Sequence, residues 1–145
     1  MAQIQFPGMV SADFEVDQVT DPNGAPSTVL DLDLGFAVKG HIDFPNWLAG
    51  TGNVSIYADQ RGGGYNQKIL STNITITANP TDPTSVTNYP WTVKYPTDLP
   101  FDSTPLSDPS PPPGSTVYDL TAVFTFNGVL SDVAAFVDMG SYMIN

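Results

Sequence analysis

The chain has 145 residues, a mass of 15.5 kDa, a formal net charge of −11 and no cysteine, which suits a single domain without disulfide staples. Four cations cannot supply the basic surface that releases counterions from phosphates, so nucleic acid is excluded as a partner. The missing cysteines and the single histidine exclude thiolate clusters, cysteine nucleophiles and multi-histidine metal sites.

In chain order, residues 1–11 read as an N-terminal extension of low polarity, with Ile4 and Phe6 as its apolar members. They carry no basic segment followed by an apolar core, so synthesis in the cytoplasm without a Sec signal is expected. Such an extension could pair with the open sheet edge of a neighbour. An early strand is predicted around Phe14 to Val19, followed by a turn at Asp21-Pro22-Asn23-Gly24.

From Leu30 to Phe44 the chain alternates with period two. Leu30, Leu32, Leu34, Phe36, Val38, Ile42 and Phe44 fall on one face, and Asp31, Asp33, Lys39, His41 and Asp43 on the other. That pattern predicts a long half-buried strand with a bend at Gly35 or Gly40. Pro45 and Asn46 end it.

A hairpin follows. Val54, Ile56 and Ala58 share a face of its first strand, and Leu70, Ile74 and Ile76 share a face of its second, with Gly62-Gly63-Gly64 at the tip. Trp91, Val93 and Tyr95 mark a short strand between two prolines, expected at a sheet edge. Residues 96–114 are proline-rich and predict an irregular crossover. Tyr118, Leu120, Ala122, Phe124 and Phe126 alternate in the penultimate strand. Asn127-Gly128 then opens a hairpin into a last strand whose two faces are expected to be partly covered. The longest apolar run, Val133 to Val137, is far short of the ~18–20 residues that span a bilayer, so no membrane insertion is expected.

About seven strands with no helix predict an all-β fold, a single two-sheet antiparallel sandwich. The order of edge strand, long strand, hairpin, short edge strand, crossover and final hairpin resembles an immunoglobulin-like or fibronectin type III-like domain over residues 12–145. In Gly114-Ser115-Thr116-Val117-Tyr118-Asp119-Leu120, a tyrosine two residues before a core position is similar to the tyrosine corner of that fold. Leu120 stands where antibody domains carry a cysteine, and Ile56 where their buried tryptophan would sit. The resemblance implies architecture and no particular function.

Reactive side chains are sparse. His41 has no accompanying nucleophile motif and reads as a strand-surface histidine. Asp31 and Asp33, about 7 Å apart by strand rise, read as solvated charge. Asp31-x-Asp33-x-Gly35 shares the opening of an oxygen-ligand loop, making Asp31 and Asp33 weak calcium candidates with Asp17, Asp21 and Asn23 nearby, but no complete loop is present. No cofactor is expected.

Arg61, Gly62, Gly63, Gly64 and Tyr65 form a candidate contact tip, since glycine backbones approach partners closely and Arg and Tyr are favoured at interfaces. Trp47, Tyr57, Tyr65, Trp91 and Tyr95 are the candidates for a sugar platform. The sequence therefore predicts a non-catalytic structural or adhesive module with protein partners or self-association, a component of a phage-tail, virion or contractile-particle type of assembly. The alternative is a carbohydrate- or calcium-binding module.

Overall fold

The computed structural model describes residues 2–5, 11–31, 33–46, 49–61, 66–78, 81–82, 85–99, 117–128 and 132–144. The strands are β1 (Ala2–Gln5), β2 (Ser11–Thr20), β3 (Val29–Leu30), β4 (Phe36–Pro45), β5 (Gly50–Gln60), β6 (Asn66–Ile76), β7 (Val86–Tyr95), β8 (Val117–Gly128) and β9 (Asp132–Ile144). There is no helix among the described residues. One sheet has the order β1-β2-β4-β7 and the other β3-β9-β8-β5-β6.

The two inner faces meet through aromatic rings. Phe14 of β2 lies 5.7 Å from Phe124 of β8, and Phe44 of β4 lies 4.7 Å from Phe126 of β8, ring centre to ring centre. All four rings are buried, as are Phe36, Val38, Ile42, Val54, Ile56 and Leu120. A shared interior fed by alternate residues from both layers is the condition for a β-sandwich.

Three expectations need correction. The sandwich has nine strands among the described residues rather than about seven. It is not purely antiparallel, because β3 runs parallel to β9, with Val29 opposite Met143. The parallel pairing and one of the two extra strands, β3, arise at one corner; the other extra strand is β1 at the N-terminus. Asp31 Oδ1 accepts the N–H groups of Asp33 at 2.8 Å and Leu34 at 3.0 Å, the Asp31 carbonyl accepts that of Gly35, and Gly35 sits at φ 90°. This turn divides the alternating run into β3 and β4, which belong to different sheets. Leu34 is left 71% exposed at the corner instead of in the core. Third, β9 is not covered on both faces: Ala135 is buried, but its neighbour Phe136 is 73% exposed.

Other expectations hold in whole or in part. Trp91 and Val93 are buried on β7, which is an edge strand as expected but runs ten residues from Val86 and carries Pro90 within it, opposite His41, rather than starting after it. β5 and β6 form the expected hairpin, paired from Asp59–Asn66 to Gly50–Ile76. The free edge of β6 is partly capped, since the Ser71 N–H donates to the Asp98 carbonyl at 2.9 Å. Residues 2–5, expected as part of an extension that could pair with a neighbour, instead form β1 and pair with β2 of the chain's own first sheet, with Ile4 opposite Ala12. The glycine tip at 62–64 and the crossover from 100 to 116 lie outside the described residues.

Candidate functional site

On β4 the odd residues point away from the core, which brings Lys39, His41 and Asp43 to the outer face of the first sheet. Glu15 on β2 is the cross-strand partner of His41. Strict alternation would then send Val16 inward and Asp17 outward, one pair further along. Instead the register shifts between Val16 and Gln18, so Asp17 is the extra residue of a bulge. Bulges re-aim side chains, and here the result is convergence. His41 Nε2 lies 2.9 Å from Glu15 Oε2, and Nδ1 lies 3.0 Å from both carboxylate oxygens of Asp17.

The imidazole is thus held between two carboxylates, one on each ring nitrogen. The Asp17 hydrogen bond raises the His41 pKa above its ordinary 6.5. Partial burial opposes that rise, while the negative charges of Asp17, Glu15 and Asp43 reinforce it. A histidine so placed holds its second proton more tightly than a free imidazole does. The three side chains bring ligand atoms within 4.8 Å of one another, a donor set of one imidazole and two carboxylates suited to a divalent cation. Binding one would require His41 to release a carboxylate from one nitrogen.

Arg61 does not stand free at its hairpin tip. Its guanidinium donates to Asp119 Oδ1 at 2.8 Å and to Ser141 Oγ, across β8 and β9. Hydrogen bonds from Ser141 and then Arg61 hold the Asp119 carboxyl below its usual range. Gly62, Gly63, Gly64, Tyr65, Trp47 and Phe6 lie outside the described residues.

The calcium candidates take different roles. Asp31 caps its own turn through Oδ1, and Asp33 is exposed beside it. Asp21 Oδ1 accepts the N–H groups of Asn23 and Ala25, each at 2.9 Å. The described aromatic candidates do not share a surface. Trp91 is buried, Tyr95 stacks on Phe36 at 5.2 Å and 4°, and Tyr57 is half-buried on β5 of the other sheet.

Two features escape sequence reasoning. Convergence on His41 depends on a bulge that leaves no mark in the pattern. The exposure of Phe136 had one available signal, its place in an apolar run with no polar side chain to show which face is wet.

No protein-family model and no curated protein matches the chain. Among solved structures it is similar to the crystal structure of the C-terminal domain of wzt, at 9% sequence identity and a TM-score of 0.47, over 97% of this chain and 80% of that one.

Proposed function

We propose that the chain is a non-catalytic immunoglobulin-like module that works by contact, a structural or adhesive component of an assembly of the tail, virion or contractile-particle type. The strand order supports the immunoglobulin-like part. β2, β4 and β7 lie together in one layer, and β5, β8 and β9 in the other, which is the arrangement of strands A, B, E and C, F, G in that fold. Tyr118 is buried at the start of β8, two residues before the fully buried Leu120.

The observation that carries the contact part is Phe136. It is 73% exposed on the outer face of the second sheet, beside its cross-strand partner Val123. A large ring left in water on a chain of net charge −11 gains free energy when another surface covers it. The occupant we assign is a second copy, because the same patch on two chains meets about a two-fold axis. Like charge on the two copies opposes this pairing, so salt should strengthen it.

Size-exclusion chromatography with light scattering, over a concentration series at low and high salt, tests the reading. The wild type should associate, more so at high salt, and Phe136→Ser should remain monomeric. A wild type that stays monomeric under every condition would overturn it.

A further inference from the structure

We propose that the cavity at the corner end of the first sheet binds a small organic anion. The cavity has a volume of about 320 Å³. The turn after β2 contributes Thr20, Asp21 and Gly24, the corner before β4 contributes Leu34, and the strands contribute Lys39, Lys94 and Tyr95. It lies on a different sheet from Phe136 and does not depend on the contact reading.

Charge placement is the first support. The chain has four cations against fifteen acids. Arg61 is ion-paired with Asp119, and Lys68 sits on β6 of the other sheet. The remaining two, Lys39 and Lys94, both line this cavity. Ala37 is the cross-strand partner of Lys94, so Lys39 and Lys94 are diagonal neighbours on one face, about 7–8 Å apart. Like charges so placed repel each other.

Nearby carboxylates have hydrogen-bond partners of their own and make no ion pair with either lysine. Asp21 caps its own turn. Glu15 and Asp17 hold His41. Asp98 Oδ2 accepts the backbone N–H of Lys94 at 2.8 Å. Neither lysine has an ion-pair partner among the described residues. Two lysines without an ion-pair partner among the described residues therefore line one cavity that holds a single carboxylate, that of Asp21.

The apolar wall is the second support. Tyr95 lies in the cavity wall with its ring stacked on Phe36, and the exposed Leu34 stands at the rim. Gly35 at φ 90° lets the corner close against the Tyr95 carbonyl, since a Cβ there would stand 2.7 Å from that oxygen. A volume near the lower end of ligand pockets, about 300 Å³, suits a body of roughly one ring. The ligand class is therefore a single-ring compound bearing a carboxylate or a phosphate.

Isothermal titration calorimetry on the full chain tests this with four probes: phenyl phosphate, benzoate, benzyl alcohol and inorganic phosphate. Phenyl phosphate or benzoate should bind, more weakly as salt rises, and whichever binds more tightly identifies the head group. Benzyl alcohol should not bind. Lys39→Gln and Lys94→Gln should each weaken binding by about tenfold, the loss of one charge-assisted hydrogen bond, whereas Lys68→Gln should change nothing. These are surface substitutions, and an unchanged thermal midpoint confirms that each variant folds. The proposal is overturned if neither organic anion binds at millimolar concentration, if the Lys39/Lys94 double variant binds as well as wild type, or if inorganic phosphate binds as tightly as phenyl phosphate.

Discussion

The indole of Trp91 fills the space in front of Gly40, its direct cross-strand partner. A Cβ added at Gly40 would overlap both that ring and the carbonyl oxygen of Glu15 on the opposite flanking strand. The missing side chain is thus what lets β2, β4 and β7 close around a buried indole, which itself stacks on Phe14 at 5.6 Å. Gly40→Ala should destabilise the fold by about 3 kcal/mol, as overpacking does when backbone cannot yield. Gly24→Ala is the comparison. That residue has φ 86° and open space around it, so only backbone strain of about 1–2 kcal/mol is expected. Urea midpoints of the two variants measure the difference, and a Gly40→Ala protein as stable as wild type would contradict this packing.

The alternation around Phe36 to Phe44 and Tyr118 to Phe126 made the core legible, because period two is a local signal that burial on one face preserves. Gly35 was legible as one of two candidate bends. What followed from the bend was not. Whether β3 turns back into its own sheet or crosses to lie parallel to β9 is decided by partners more than 100 residues away in sequence. The His41 cluster was hidden for a similar reason. Glu15 and His41 are apart in the chain, and Asp17 reaches the same ring only through a shift in register. No local pattern encodes such a shift.

That cluster makes stability depend on pH. The folded-state pKa of His41 is raised above 6.5, so the folded chain holds the proton more tightly than the unfolded one. The stabilisation is therefore fully present below about pH 6.5 and is lost as pH rises through the raised value. The groups facing the ring are Glu15 and Asp17 on β2, Asp43 on its own strand and the uncharged Pro90 on β7. Urea midpoints of the wild type should fall across this window, while those of His41→Gln should fall less. As the chain has a single histidine, one proton NMR titration reads its pKa without assignment. A value at or below 6.5 would contradict the geometry.

The corner at Asp31 supports a further expectation. Its carboxylate oxygen accepts two backbone N–H groups that would otherwise be without a partner in the turn. Asp31→Ala should cost about 1–2 kcal/mol, in the range of a lost helix or turn cap. Asp31→Asn retains an acceptor at the same place and should recover most of that loss. If Asp31→Asn is as damaging as Asp31→Ala, the charge rather than the capping geometry matters, and the Asp31-x-Asp33 pair would need to be tested with calcium.

Two phenylalanines separate folding from contact. Phe44 is fully buried and meets Phe126 edge-on across the sandwich, while Phe136 has nearly three quarters of its surface in water. Phe44→Ala removes a ring from the seam between the sheets, leaving a cavity that neighbouring strands cannot fill. The expected cost is about 3–5 kcal/mol. Phe136→Ala loses little intramolecular burial and should stay within about 0.5 kcal/mol of wild type. Under the proposed contact role, the same Phe136→Ala protein should nonetheless lose self-association. Equilibrium unfolding at low protein concentration and light scattering at high concentration measure the two effects separately. If Phe136→Ala unfolds as readily as Phe44→Ala, the ring is part of the interior, and the exposed face described for β9 is wrong.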